Sequence, residues 1–352
     1  MSENMAAWAM AALLLAGGVA IGQTHAPWPA DWNNWNDPAL WVKVGNAGNA
    51  SDNRYAMPGY GSVSYTYQIG TFEVTAWQYT EFLNAVAATD TYSLYNPDMW
   101  SDGFGCKIQR QGSQGNYMYT VGSEYANRPV NFVSWGDAAR FANWLTNGQR
   151  TGSQDAFTTE DGSYYLNGET DDAALIAVTR RTPDEGGRYY IPTEDEWYKA
   201  AYHKNDGVTG NYFDYPTGSD ISPGRDMADL LGNNANHSTG AEGGDWPIDF
   251  GKPTTVVGEF QASPSPYGTF DQGGDLWEWT ETIVNESNRL VRGGSLGYHR
   301  GINYVVASYR DGYGPPSYES AYNGFRLVEI PEPATLAMLV VGGLALLRRK
   351  RR

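Results

Sequence analysis

The chain has 352 residues, with 24 basic and 40 acidic side chains and one cysteine, Cys106. That length suits one large domain or two ordinary ones, and a single cysteine excludes an internal disulfide framework. Setting aside the five bases and two acids of residues 1–26 and 331–352 leaves 19 bases and 38 acids, a net charge of −19. Such a surface disfavours nucleic acid and anionic membrane and favours divalent cations.

The 42 Gly, 13 Trp and 25 Tyr point to a loop-rich α+β fold whose core is built on large rings. Residues 5–22 form an apolar run, and Thr24-His25-Ala26 offers a small-x-small cleavage site. Residues 1–26 therefore read as a secretory signal peptide, although the n-region carries Glu3 and no Lys or Arg. Residues 27–58 are rich in Trp, Asn and Pro without a period, and read as an N-terminal arm.

Val63–Ile69, "VSYTYQI", alternates as a strand does. Three helix starts follow. Thr75/Gln78 and Thr193/Glu196 are capping boxes, and Ser134/Asp137 is a looser version. Core faces follow each: Tyr79, Phe82, Leu83 and Val86; then Trp135, Ala138, Ala139, Ala142 and Leu145; then Trp197, Ala200 and Ala201. Residues 146–187 are polar and rich in Gly, Thr and Asp, and read as a surface insertion or small hairpin. No linker divides the chain, so one domain over 59–329 is the simplest account.

Chemistry-bearing patterns are few. The four histidines are far apart, and no His-x-x-x-His, Cys-x-x-Cys, Gly-x-Ser-x-Gly or phosphate loop is present. Cys106 has no His near it in sequence and reads as an inert thiol. The densest cluster is "DQGGDLWEW", where Asp271, Asp275 and Glu278 lie on a Gly-containing loop. Carboxylates and inward-turned loop carbonyls are what a hard cation such as Ca²⁺ requires. A second cluster, "RGGSLGYHRGINY", puts Ser295, Tyr298, His299, Arg300 and Asn303 after a Gly-Gly turn.

At the C-terminus, Pro331-Glu332-Pro333 precedes an apolar run, Ala334–Leu347, and five bases, Arg348–Arg352. This run is shorter than the roughly 20 residues that span a bilayer comfortably, and its basic end favours the cytoplasmic side. A plain tail anchor is the simpler reading. The three parts together resemble the PEP-CTERM sorting signal of Gram-negative bacteria over residues 330–352. That resemblance implies recognition by an exosortase-type membrane protease, a transmembrane helix held at the inner membrane, and delivery to the cell surface or extracellular matrix. It also implies that the tail is the chain's one membrane contact.

Six motifs, "IGTFEVTAWQYTEFLNAV", "RPVNFVSWGDAARFANWL", "YYIPTEDEWYKAA", "GGDLWEWT", "VRGGS" and "NGFRLV", occur in the order seen in formylglycine-generating enzymes. The chain resembles that family, also called the sulfatase-modifying factor domain. The resemblance implies one compact α+β domain with little regular secondary structure, related to C-type lectins. It further implies structural Ca²⁺ at Asp271, the carbonyls of Gly274 and Leu276, and Glu278. A second Ca²⁺ site would start at Asn236 and the His237 carbonyl, with Asp249 as its other half, although the spacing there departs from the family's.

The oxidising members hold Cu(I) on a cysteine pair after Gly-Gly-Ser. Tyr298 and Asn303 occupy those positions here, so soft ligands for copper are missing, while Ser295, His299 and Arg300 match. Three readings follow. One is a non-catalytic, Ca²⁺-stabilised surface module for polysaccharide or protein. The others are an oxidoreductase with altered metal ligands and a purely structural matrix protein.

Overall fold

The computed structural model describes residues 29, 31–239, 248–249, 251–297, 301–310 and 312–331. Its helices are α1 (Ala76–Val86), α2 (Asp98–Ser101), α3 (Ser123–Ala126), α4 (Trp135–Thr146), α5 (Asp172–Ala177) and α6 (Glu194–Tyr202). The three longest start where the sequence places them, and all three caps are full capping boxes. At α4 the Asp137 N–H donates to Ser134 Oγ (3.1 Å) and the Ser134 N–H donates to Asp137 Oδ2 (2.9 Å). Asp at this position closes the box as Gln78 and Glu196 do at the other two. Caps of this kind are worth about 1 kcal/mol each.

The apolar faces of α1 and α4 meet in a core of rings. Phe82 and Phe141 pack edge-on at 5.2 Å, Tyr79 stacks on Phe141 at 6.0 Å, and Phe325 reaches the same ring from the far end of the chain at 5.4 Å. Every core-face position named from the sequence is buried. A second aromatic cluster forms around Trp197, Tyr198, Tyr202 and Tyr212 on the α6 side.

Among the described residues, three sheets surround these cores. The first has strand order β1 (Trp41–Val44), β2 (Tyr67–Gly70), β10 (Val328–Glu329), β5 (Tyr189–Tyr190), all antiparallel. The second is the hairpin β3 (Ile108–Gln111) and β4 (Met118–Val121). The third has order β8 (Tyr313–Gly314), β7 (Asn288–Arg292), β6 (Trp277–Asn285), β9 (Asn323–Gly324), with β6 and β9 parallel. These short elements, joined by long irregular segments, make the loop-rich α+β fold expected of the composition.

Three segments differ from the sequence reading. Residues 27–58 include β1, which pairs with β2 from Trp41↔Gly70 to Val44↔Tyr67, and Trp35 and Trp41 join the core. The arm is thus an edge of the domain, with Trp35 and Trp41 buried in its core. The strand read over Val63–Ile69 begins only at Tyr67. The Val63 N–H is instead taken by the Asn49 side chain at 3.2 Å, which substitutes for a strand partner. Residues 146–187 are not a detached insertion. Tyr164 and Leu166 are fully buried, and Asn143 on α4 donates to the Thr159 and Tyr164 carbonyls. Polar side chains tie this segment inward, so its polarity gives no outward direction.

Among the described residues no helix is long and apolar enough to cross a membrane. Residues 1–26, read from the sequence as a signal peptide, and the run Ala334–Leu347 lie outside the described residues.

Candidate functional site

The Gly-Gly-Ser turn follows directly from β7. Gly293 and Gly294 have φ of +99° and +76°, a region that side-chain-bearing residues rarely adopt. A Cβ on Gly293 would lie 2.9 Å from the Gln272 carbonyl oxygen, and one on Gly294 would lie 3.0 Å from Tyr304 Cβ. The two glycines let the turn press against the acidic loop on one side and the 301–310 segment on the other.

Arg292, just before the turn, is buried and works as a clamp. It pairs with Glu194 at the start of α6 and donates to the carbonyls of Ala307 and Tyr309. Arg310 holds the same carboxylate from the other side at 3.0 Å. Ser295 is buried, and among the described residues its Oγ has no hydrogen-bond partner. Asn303 is exposed on a 3-10 turn, Gly301–Tyr304. Tyr298, His299 and Arg300 lie outside the described residues.

The clamped segment carries rings into a cleft of about 340 Å³. Trp277, Tyr304, Tyr309, Tyr313 and Tyr318 line it, with Ser320 and Asn323 as polar points. Trp277 meets Tyr304 at 5.4 Å and Tyr309 at 5.7 Å, and the two tyrosines pack edge-on at 4.7 Å. Tyr313 and Tyr318 are 53% and 48% exposed, so their faces are open to solvent. Cys106 does not line this cleft. It is buried, and burial pushes its thiol up to about 11, which removes the reactive thiolate at neutral pH.

The acidic loop lies beyond the turn. Asp271, Gly274 and Asp275 have φ of +59°, +99° and +47°. Two aspartates in the left-handed region mark a backbone held in place by its surroundings. The Asp275 N–H donates to the Asn236 carbonyl at 2.8 Å, and Asn236 Nδ2 donates to Asp275 Oδ1 at 2.7 Å. The loops holding Asn236 and Asp271 are therefore one assembly. Thr255 adds a backbone N–H (2.9 Å) and a hydroxyl (2.6 Å) to Asp275.

A third carboxylate enters from distant sequence. Glu73, from the segment before α1, lies with Asp271 and Asp275 such that one oxygen from each falls within 4.8 Å of the others. Burial, with neighbouring acids adding to it, pushes Glu73 well above the ordinary carboxylate range and Asp271 up to about 8, and burial pushes Asp275 up to about 6 against hydrogen bonds from Thr255 and Asn236. In all three, burial is the larger cause. Glu278 sits beside this group but has its own counter-ion. Its oxygens accept from Arg326 Nε at 2.5 Å and Nη2 at 2.8 Å, and from Trp197 Nε1 at 2.8 Å.

Of the residues named from the sequence, the structure brings Asn236, Asp271, Gly274, Leu276 and Glu278 to one region. His237 turns both ring nitrogens toward carbonyls, those of Ser238 (2.8 Å) and Pro223 (3.2 Å). Asp249 is paired with Arg128. Glu73 is the residue that reading missed. Its signal was an acid in the apolar run "IGTFEVT", flanked by buried Phe72 and Val74.

Fold and site together define an irregular α+β domain with a clamped Gly-Gly-Ser turn, an aromatic cleft and a buried oxygen cluster. The chain belongs to the family of the sulfatase-modifying factor enzyme 1-like domain, whose model matches residues 30–330. Residues 329–352 match the PEP-CTERM protein-sorting motif. The protein is thus an exported one whose tail implies an exosortase-dependent, membrane-anchored sorting step.

Similar solved structures include Treponema denticola variable protein 1, 20% identical over 83% of this chain and 95% of that one, with a TM-score of 0.47. CarF is 20% identical over 83% and 98%, with a TM-score of 0.46. PvdO from Pseudomonas aeruginosa is 16% identical over 83% and 94%, with a TM-score of 0.44. No curated protein matches the chain.

Proposed function

We propose that this protein is a non-catalytic binding module of the cell surface or extracellular matrix, stabilised by Ca²⁺, which takes polysaccharide in the aromatic cleft beside the Gly-Gly-Ser turn. The observation that carries this reading is the cleft lining. Five rings surround it, two of them exposed, and Ser320 and Asn323 supply polar points between them. Sugars present apolar C–H faces and hydroxyl edges, and this combination of ring faces with a few polar groups suits both.

Residues at the copper positions favour binding over oxidation. Asn303 is a hard amide on an exposed turn, and Tyr298 carries no thiol. Cu(I) selects soft sulfur ligands, which neither residue offers. Calcium would serve the fold, with the acidic loops between α1, the Asn236 segment and β6 as its place. It would supply positive charge to acids that otherwise repel one another, and the cleft residues would do the recognition.

A glycan array probed in Ca²⁺ at low salt tests the reading. Binding to a defined group of polysaccharides is expected. An array with no binder, by protein that holds Ca²⁺ and is folded, would count decisively against it.

A further inference from the structure

We infer that the polysaccharide this chain takes is cationic, a polymer of hexosamines with free amino groups, and that it runs from the aromatic cleft over Tyr318 to an amine subsite at Glu319. The inference rests on the binding reading above and names the ligand class for it.

One wall of the cleft is shared. In the strip of chain after β8, Pro315, Tyr318 and Ser320 line the aromatic cleft, while Ser317 and Glu319 line a polar hollow of about 240 Å³. Glu319 and Ser93 also line a second polar hollow, of about 380 Å³, so three hollows meet along this strip. The strip is pinned from behind. The Gly136 N–H of α4 donates to the Pro316 carbonyl at 3.2 Å, and the Phe132 N–H donates to the Ser320 carbonyl at 2.9 Å. The Ser317 N–H donates to Asp172 Oδ1, on α5, at 3.0 Å. A chain ligand lying across this fixed wall meets the exposed Tyr318 ring with one unit and Glu319 with a neighbouring one.

Charge decides what the ligand carries. Among the described residues no Lys or Arg lines the aromatic cleft. Two guanidinium groups line the polar hollows, and both are committed, Arg110 to Asp90 at 3.3 Å and Arg140 to Glu160 at 2.8 Å. Glu319 is half-buried and accepts from the Asn96 amide, and among the described residues no Lys or Arg pairs with it. Burial, with Asp137 and Asp90 adding to it, pushes the Glu319 carboxyl up to about 8 against the Asn96 hydrogen bond. An ammonium group would supply the missing counter-ion and favour the ionised carboxylate, and its remaining N–H groups suit the Ser93 and Ser317 hydroxyls. The cleft rings would attract the same charge through their faces. A neutral, N-acetylated polymer leaves Glu319 without a counter-ion. A uronic-acid polymer would be repelled by the net charge of −19 over residues 27–330.

Calorimetric titration of the folded full chain in Ca²⁺, with glucosamine hexamers, their N-acetylated counterparts and galacturonate hexamers, tests this. The glucosamine oligomer should bind most tightly. Acetylating its amines should cost about tenfold or more, the size of one charge-assisted hydrogen bond, and this arm needs no variant. Glu319→Gln should weaken the glucosamine oligomer by a similar factor and leave the acetylated one unchanged, a split that a loosened fold would not give. Acetylated or galacturonate oligomers binding as tightly as glucosamine would overturn the cationic class and leave the polysaccharide reading standing. Glucosamine affinity unmoved by Glu319→Gln would overturn the amine subsite. Binding of none of the three, by protein that takes another glycan on the array, would overturn this inference alone. Folded protein that binds no glycan at all would overturn both.

Discussion

Replacing Arg326 with Met is the most demanding test of how the buried acids are balanced. Arg326 and Glu278 are both wholly buried, joined by two guanidinium–carboxylate hydrogen bonds. Arg326 also donates to the carbonyls of Gly70 (3.1 Å) and Phe270 (2.9 Å), tying β2 to the acidic loop. Removing it strands Glu278 beside Glu73, Asp271 and Asp275, which already repel one another.

Breaking one side of a buried pair costs about 3–5 kcal/mol, and proton uptake by Glu278 sets the upper limit. A loss of about 4 kcal/mol corresponds to a melting-temperature drop on the order of 10 °C for a domain of this size. Urea unfolding in chelator, followed by tryptophan fluorescence, measures it. The loss should shrink when Ca²⁺ is added. The double variant Glu278→Gln/Arg326→Met should lose less than Arg326→Met alone, since it leaves no stranded carboxylate. A loss below about 1 kcal/mol, typical of an exposed pair, would refute the reasoning.

Two further outcomes follow from single residues. Glu281, between Tyr164 and Arg180, has its carboxyl pushed from 4.5 up to about 7, chiefly by burial. A carboxyl raised on folding contributes stability that is fully present below pH 4.5 and is lost as pH rises through about 7. The advantage of wild type over Glu281→Gln should therefore fall by up to about 3 kcal/mol across that window, read from unfolding free energies at each pH. Gly274→Ala would place a Cβ 2.2 Å from the Asn236 carbonyl oxygen, at a φ of +99°. Gly186→Ala, at a φ of +91° with nothing within 4 Å, carries the backbone strain alone. The control should lose about 1 kcal/mol, and Gly274→Ala clearly more, with weaker Ca²⁺ binding.

What the sequence showed clearly was local. Thr75, Ser134 and Thr193 each find a partner three residues on, so helix starts are encoded within one turn of chain. The apolar faces of α1 and α4 follow for the same reason. Short strands carry no comparable signal, because four residues such as Trp41–Val44 hold two alternations at most. The polar segment 146–187 misled because Glu160 turns inward to Arg140 and the Thr159 carbonyl accepts from Asn143 on α4, hydrogen bonds that composition does not show. At the site, "DQGGDLWEW" announced the acidic loop, but Glu73 lies some 200 residues earlier and reaches it only through the fold. The cleft was legible as a turn and not as a lining, since Trp277, Tyr304 and Tyr318 come together from three separate stretches.

The most direct test of the binding account is a titration of the cleft itself. Trp277 lies in its wall, so its fluorescence should report a polysaccharide ligand found on the array. Removing the two exposed rings together, Tyr313→Ala/Tyr318→Ala, should weaken binding by about tenfold or more, at roughly 1 kcal/mol per ring, with Ca²⁺ affinity and melting temperature unchanged. Wild-type affinity in the double variant would contradict the account, because the ligand would then be held elsewhere on the molecule.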